Sequence, residues 1–521
     1  MNHRVLLSAL TVSTALTTTG FAGAALAQEL AIGIAASPTS IDPQFYVLGP
    51  NSAMARNMFD GLVNQDDRQQ IQPALAESWE MLDDETWLFH LREGVTFHDG
   101  SDFTAADVVA SINRVPMAAE NSPSSFAPYV QDVATVEAVD PMTVRVTTNG
   151  PAPLLLNNLS RIAMMPAELE GVPTETLNQG EMVIGTGPFR FVSWSPNDNV
   201  VLERFDDYWD GPSHWEQVTY RVFTNPSARI AAILSGDVDL IESVPTADIE
   251  RLEADESIDL VTTSSNRVMY LHMDQDRETS PFAAGPDGTN PLRSAEVRRA
   301  ISMGINRQGL VDRIMDGQGV PAGQLVPEGY FGWSPDLEVD PYDPEAAREL
   351  MAEAGYPDGF TLTFHASNDR YPNDEQIAQA IGQMLTRIGI QTDIVTLPAS
   401  VYFSRASALE FSFIMGGAAA ETGEASGVLG PLLETFSETG GRGNRGRYSS
   451  EAFDTALATA RETLDDAGRE ALLQEAMEIG MGDLGVIPVF FLAHSWAVDE
   501  GVSYDGRTDG YTLAYEVSPV E

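Results

Sequence analysis

Arginine supplies the cationic side chains of this 521-residue chain, because the sequence contains no lysine. Three arginines lie in or directly after the segment 441–446, GRGNRG, and Arg442, Arg445 and Arg447 could bind a carboxylate or a phosphate through paired N–H donors. The segment also matches G-x-G-x-x-G, but the residues before it do not form the strand that a dinucleotide site requires. We expect a flexible loop here, with anion binding as the alternative.

Several kinds of reactive chemistry are excluded by composition. The chain has no cysteine, which removes thiol nucleophiles, disulfides and thiolate metal ligands, and the missing lysine removes Schiff-base and Walker A chemistry. His98 and Asp99 could form a metal pair, but the seven histidines show no H-x-x-x-H or H-E-x-x-H spacing, so a turn at Asp99-Gly100 is favoured. We predict no metal and no cofactor.

An enzymatic alternative stays open at this point. The 77 acidic residues make accidental carboxylate pairs unavoidable, so a periplasmic hydrolase with paired carboxylates is an alternative function, although G-x-S-x-G is absent. A binder returns its ligand chemically unchanged, whereas a hydrolase does not.

The formal net charge of −48 bears on possible partners. A nucleic-acid backbone requires a basic face, which this chain does not have, so nucleic-acid binding is excluded. The acidity is typical of a well-solvated surface.

The first 27 residues have the pattern of a secretory signal peptide. His3 and Arg4 precede an apolar stretch over 5–24, and Ala25-Leu26-Ala27 forms a small-residue cleavage site before Gln28. No later segment reaches the ~18 consecutive apolar residues of a spanning helix, and a lipid anchor would require a cysteine. We therefore expect a periplasmic protein that is secreted and not lipid-anchored.

The pattern of the remaining chain predicts a mixed α/β protein with at least two large domains, because one hydrophobic core rarely serves more than ~300 residues. Helix-capping residues followed by apolar periodicity mark the predicted helices, and short apolar or alternating runs mark the strands. Predicted strands lie at 30–35, 86–92, 361–366 and 391–397, and predicted helices at 104–113, 225–234, 294–304, 306–316, 343–354 and 373–388. The last helix and its flanking strands form a β-α-β unit.

Longer sequence motifs, each different, lie along almost the whole chain after the first 57 residues. They are PALAESWE at 73–80, LREGVTFHDG at 91–100, TAADVV from Thr104, GTGPFRFVSW at 185–194, SGDVDLI at 235–241, VRRAISMGINR at 297–307 and AGYPDGF at 354–360. The chain resembles, in these motifs and their order, the peptide, opine and nickel family of solute-binding proteins that serve ABC importers.

This resemblance implies a two-lobe periplasmic-binding-protein fold of the large peptide-binding type, with mixed sheets and an extra subdomain in the first lobe. The implied division is a signal peptide at 1–27, a first lobe at 28–267, a second lobe at 268–486 and a return to the first lobe at 487–521. A small, peptide-like anionic solute would be captured between the closing lobes and delivered to an inner-membrane permease with a cytoplasmic ATPase. The resemblance implies a monomer without enzymatic activity. It also leaves open, as an alternative to a peptide-like solute, a carrier of a nickel chelate or of an opine, because a chelated metal needs few protein ligands.

The resemblance also suggests where the solute binds. In peptide-binding relatives an Arg in the loop after a strand of the second lobe holds the ligand carboxylate, and Arg370 takes that place here, with Asn368 and Tyr371 beside it. The loop in which relatives carry an Asp for the ligand amine reads FIMGGAAAETGEASGVLG at 413–430 and lacks that Asp. Glu421 and Glu424 are the acidic residues of this loop. We therefore expect the protein to bind the ligand amine weakly and to tolerate a ligand whose amine is blocked.

Three further residues complete the predicted site. Ser37 and Thr39 belong to the loop after the first strand, which matches a family segment facing the cleft, although local turn bonds explain them equally well. Arg445 of the GRGNRG loop is the third.

Overall fold

The computed structural model describes residues 28–120 and 122–520. The predicted signal peptide therefore lies outside the described residues. None of the described helices is both long enough and apolar enough to cross a membrane.

The strands include two that are much longer than the others, β12 and β18. In chain order the strands are β1 Glu29–Ile34, β2 Val63–Gln65, β3 Ile71–Pro73, β4 Ala76–Asp83, β5 Thr86–Leu91, β6 Val133–Asp140, β7 Thr143–Thr148, β8 Phe189–Ser195, β9 Asn199–Arg204, β10 Gln217–Val222, β11 Leu240–Glu242, β12 Ile258–Met273, β13 Ala283–Ala284, β14 Gly319–Pro321, β15 Phe360–Ser367, β16 Ile390–Leu397, β17 Phe413–Ala419, β18 Ile487–Asp499, β19 Val502–Ser503 and β20 Ser518–Pro519.

The α-helices alternate with these strands along most of the chain. They are α1 Gly49–Met58, α2 Ala105–Ala118, α3 Leu155–Leu159, α4 Thr174–Asn178, α5 Pro226–Leu234, α6 Ile249–Glu253, α7 Ala295–Gly304, α8 Arg307–Ile314, α9 Pro344–Glu353, α10 Asp374–Arg387, α11 Ala399–Ser407, α12 Ser426–Leu433, α13 Glu451–Glu462 and α14 Asp466–Gly482.

Local capping explains where the predicted helices begin. Thr104 and Asp107 form a reciprocal capping box at the start of α2. The side chain of Asn225 accepts from Ala228 N at 3.0 Å, and Pro226 occupies the first position of α5. These helices therefore form where the sequence predicts them.

A single mixed sheet of 12 strands runs through both lobes, in the order β13-β15-β17-β12-β18-β11-β1-β10-β9-β8, with β14 on β18 and β16 on β15. Strands β15 and β16 are parallel and are joined through α10, which confirms the predicted β-α-β unit. The first lobe contributes β1 and β8–β11, and the second contributes β13–β17. Between these sets lies the long antiparallel pair β12 and β18: β18 pairs with β11 of the first lobe and β14 of the second, and β12 pairs with β17 of the second.

The two crossings between the lobes lie inside these long strands. The pairing of β12 with β18 shifts register between Ser264 and Val268, which locally disrupts the ladder. The boundary predicted at 267 falls within this shift. The return predicted at 487 falls at the start of β18, whose first half still pairs with β14 of the second lobe. The chain thus passes between the two sets of strands within β12 and within β18, and the exact lobe boundaries stay a prediction.

Each lobe has its own hydrophobic core, as the chain length predicts. Ile32, Phe189 and Tyr220 belong to the core of the first lobe, and Phe364 and Phe413 to that of the second. A separate sheet of 4 strands, β4-β5-β7-β6, packs with α2 around its own core and forms the predicted extra subdomain of the first lobe.

Candidate functional site

A cavity of about 590 Å³ lies between the lobes, within the ~300–1,000 Å³ typical of ligand pockets. Residues of both lobes and of both crossing strands line it. They are Pro226, Arg229, Glu242, Ser243, Val244, Pro245, Thr246, Ala247, Ser265, Arg267, Met315, Gln318, Arg370, Pro372, Asn373, Leu492, Ala493, His494, Ser495, Trp496 and Gly510. A solute in this cavity would contact both lobes at once.

A second cavity of about 310 Å³ adjoins the first. Arg267, Arg370 and His494 line both cavities, so these three side chains lie where the two parts of the cleft meet. The second cavity adds Arg161 and Asp509 among its charged side chains.

The arginines of the cleft differ in their partners. Arg161 pairs with Glu421 at 3.2 Å, and Arg229 donates to the backbone carbonyls of Phe223 and Ser243. In the described part of the chain, the guanidinium groups of Arg267 and Arg370 have neither an ion-pair partner nor a hydrogen-bond acceptor. Two cationic groups therefore face the same cavity without a protein anion.

The loop that carries Arg370 is held by its own side chains. One carboxylate oxygen of Asp374 accepts from Ser367 Oγ at 2.8 Å and from the backbone N–H groups of Arg370 and Tyr371 at 3.1 and 3.3 Å. The Tyr371 hydroxyl in turn lies 3.0 Å from Gly417 N and 3.3 Å from Gly417 O, and the guanidinium of Arg370 lies over the Tyr371 ring. The loop thus presents Arg370 in a defined position before any solute arrives.

His494 enters the cleft as a neutral side chain. Burial lowers the pKa of His494 to about 4, and the nearby charge of Arg267 acts in the same direction while Asp509 opposes it. A Cβ at Gly510 would lie 2.6–2.9 Å from ring atoms of His494, so glycine is needed there. The imidazole can therefore donate or accept one hydrogen bond without adding charge.

Direct contacts hold the two lobes together around the cleft. From the second lobe, the carbonyl oxygens of Glu421 and Thr422 accept from the side chains of Gln69 and Asn157 of the first. On the opposite side, Asn373 Nδ2 donates to Thr246 Oγ1 at 3.1 Å. These hydrogen bonds join the two lobes in the described conformation.

A family model described as the middle part of the bacterial extracellular solute-binding proteins, family 5, matches residues 70–440. The chain belongs to this family. The prediction made from the sequence motifs, a solute-binding protein of an ABC importer, is confirmed, and it takes precedence over the hydrolase alternative.

Curated relatives of this solute-binding protein cover most of its length. The glutathione-binding protein GsiB of Escherichia coli strain K12 is 30% identical over 491 residues, which are 92% of this chain and 91% of the relative. GsiB of Salmonella typhimurium strain LT2 is 29% identical over 502 residues, with 92% and 94% covered.

Solved structures of similar proteins confirm the two-lobe fold. The structure of HbpA2 from Haemophilus parasuis has a TM-score of 0.82 at 24% identity and covers 95% of this chain and 100% of its own. The ABC transporter-associated periplasmic binding protein DppA from Helicobacter pylori, in complex with peptide STSA, has a TM-score of 0.72 at 26% identity, with 94% and 98% covered.

The structure brings some of the predicted site residues to the cleft of this binding protein. Arg370 and Glu421 line the cavities. Tyr371 holds the Arg370 loop in place, because its hydroxyl accepts a hydrogen bond from Gly417 N. Asn368 is exposed and lines neither cavity, while its backbone N–H pairs with Leu397 O. Arg370 and Tyr371 thus remain the strongest predictions of this group.

The other predicted residues are engaged elsewhere. Ser37 Oγ accepts from Asn197 N, and Thr39 bonds with Asn51, both within the first lobe. Glu424 is buried, and Arg469 donates to both of its carboxylate oxygens, at 2.6 and 2.5 Å. Neither cavity is lined by Ser37, Thr39 or Glu424, and their contact with a ligand stays a prediction.

Arg445 also lies away from the two cavities. Its guanidinium donates to Ser407 Oγ at 3.2 Å and lies 5.6 Å from the centre of the Phe403 ring. Arg442 of the same loop donates to Glu438 O, and the side chain of Ser450 accepts from Phe453 N at the start of helix α13. Local contacts thus account for this loop.

Sequence reasoning missed Glu242, Arg267 and His494. Each is a charged or polar residue at the edge of a buried strand segment. Glu242 follows Leu240-Ile241, Arg267 precedes Val268, and His494 lies two residues after Leu492. A polar residue that interrupts or ends a buried run is a usable signal. This signal does not show by itself which of these residues face the cleft between the lobes.

Proposed function

We propose that this protein captures a small, peptide-like anionic solute between its lobes and presents the closed complex to an inner-membrane ABC permease, which a cytoplasmic ATPase drives. The protein would act as a monomer in the periplasm after removal of residues 1–27, and would return the solute chemically unchanged. The intact mass of the secreted protein checks the cleavage after Ala27.

One observation carries the proposal: Arg267 and Arg370 face the same cavity without an anionic partner among the described residues, in a protein of net charge −48. Arg370 is exposed and Arg267 is half-buried, so both guanidinium groups are accessible to an anionic group of a solute that enters the cavity. Carboxylates fit guanidinium groups through two parallel hydrogen bonds. The glutathione-binding relatives and the DppA complex with a peptide support a solute of this kind.

Mass spectrometry of the material released when the secreted protein is denatured would identify the solute. A metal chelate or an opine in that material would favour the alternatives left open by the sequence. A hydrolysed product after incubation with a peptide would contradict the binding function.

Calorimetry then tests Arg370. Arg370→Lys should weaken binding of glutathione, used as the first probe. The loss should be smaller than the ~1.5–3 kcal/mol that a charge-assisted hydrogen bond contributes, since an ammonium keeps the charge but loses the paired donors. Arg313→Lys is the matched control, because Arg313 is exposed on α8 of the same lobe. Equal affinities of the two variants would contradict the role of Arg370.

A further inference from the structure

Glu242 is the last residue of β11 and lines the cavity of about 590 Å³ from the side of the first lobe. Its Oε1 accepts from Ala35 N at 2.9 Å, and its Oε2 accepts from Thr512 Oγ1 at 2.9 Å. A carboxylate has about four lone-pair positions, so these two bonds leave acceptor capacity on both oxygens. The side chain is fixed in place and still able to bind a donor.

No guanidinium in the described residues forms an ion pair with Glu242. Arg229 lines the same cavity, but its terminal nitrogens donate to carbonyl oxygens, each at 2.7 Å. Burial raises the pKa of the Glu242 carboxyl, and the hydrogen bonds from Ala35 and Thr512 and the charge of Arg229 oppose this. Glu242 is half-buried and lacks a guanidinium partner, so a ligand cation beside it would offset the desolvation of its carboxylate.

The other acids of the cleft already have partners. Among the acidic residues that line the two cavities, Glu421 pairs with Arg161, and Asp509 pairs with Arg507 at 2.8 Å. Glu242 is therefore the cleft acid that lacks a guanidinium in the described chain. Arg267 and Arg370 line the same cavity as the cations that lack an acid.

We infer that Glu242 accepts hydrogen bonds from an ammonium group of the solute, so the cavity selects zwitterions: amino-acid or peptide derivatives with a free amine at one end and an anionic group at the other. The inference rests on the proposed function, in which Arg267 and Arg370 hold the anionic group. It reverses the expectation, drawn from the loop at 413–430 alone, that a blocked amine is tolerated.

The test uses calorimetry with glutathione and a set of tripeptides of glycine, alanine and glutamate, each in free, N-acetylated and C-amidated form. The wild-type protein should lose about tenfold to a hundredfold in affinity on acetylation, because one charge-assisted interaction is removed. Glu242→Gln should lose a similar factor for the free forms and little for the acetylated forms. Glu253→Gln, an exposed acid of α6 in the same lobe, is the control and should match the wild type.

The outcomes separate the two proposals. Wild-type protein that binds free and acetylated forms equally, while amidation abolishes binding, would overturn the role of Glu242 and leave the proposed function standing. If no probe binds the wild-type protein, the proposed peptide-like solute is wrong and the inference fails with it. The wild-type comparison decides the point even if Glu242→Gln does not fold.

Discussion

At the scale of single residues, His98 shows how neighbouring backbone groups select one protonation state. Its Nε2 lies 2.9 Å from Gly187 O, and its Nδ1 accepts from Gly185 N at 3.3 Å. The proton must therefore sit on Nε2, and protonation of Nδ1 would place two donors against each other. Burial lowers the pKa of His98 to about 4.

We predict that acid destabilises this protein partly through His98. Its pKa is 6.5 in the unfolded reference and about 4 in the folded chain, so between these pH values the unfolded state binds more protons. The free energy of unfolding should then fall as the pH is lowered from about 6.5 to 4. Urea denaturation at several pH values measures it. His98→Gln should show a shallower dependence, and parallel curves for variant and wild type would refute the argument.

Single residues of the cleft were predictable to different degrees. Arg370 was found because it follows a strand in a short polar loop whose pattern resembles a family motif. Glu242 and Arg267 were missed because each lines the cavity as a result of strand pairing between residues that are distant in sequence. Glu242, for example, pairs with Trp496. Glu424 was misleading, since its buried partner Arg469 lies 45 residues further along the chain.

At the scale of elements, the loop between β17 and α12 contacts the first lobe beside the cleft. Gly423 has φ +79° in this loop, and a Cβ there would lie 2.5 Å from Gln69 O of the first lobe. The backbone oxygen cannot move aside as a flexible side chain could. This contact between the lobes therefore depends on the absence of a side chain at position 423.

Gly423→Ala should open the cleft. The added methyl group clashes across the lobe contact, so the closed population falls and apparent solute affinity falls by the same fraction. Small-angle scattering should show a larger radius of gyration than for the wild type. Gly211→Ala is the control, because Gly211 has φ +92° but open space around its Cβ position. An equal radius for both variants would argue against the loop contact.

Elements with local signals were predictable, and elements defined by distant pairing were not. Helix α5 follows from Asn225, Pro226 and its apolar periodicity. Strand β12 spans 16 residues and crosses between the lobes, but its sequence contains polar and apolar segments that do not suggest one strand. Its continuity depends on β18, more than 200 residues later, which no local pattern reveals.

At the scale of the whole molecule, the net charge of −48 must act against the closed, compact form. Exposed acids repel one another over the Debye length, which is ~30 Å at 0.01 M and ~3 Å at 1 M ionic strength. Buried pairs such as Arg469–Glu424 are screened far less. Added salt should therefore remove repulsion more than it removes attraction.

We expect the melting temperature to rise as sodium chloride is increased from about 0.01 M to 1 M, because screening weakens the surface repulsion. Differential scanning calorimetry measures the change. Tetramethylammonium chloride at equal ionic strength should give a similar rise, which separates screening from specific sodium binding. A melting temperature that stays constant or falls would show that the acidic surface does not limit stability.

The side chain of Trp496 connects the cavity to a signal that can be observed directly. Its indole is 1% exposed, lines the cavity and donates to Thr512 Oγ1, which in turn donates to Glu242. A charge that arrives beside Glu242 therefore changes the electric field at a buried fluorophore. Trp496 should report solute entry through its emission without any attached dye, and Trp496→Phe should silence that response while the other six tryptophans keep fluorescing.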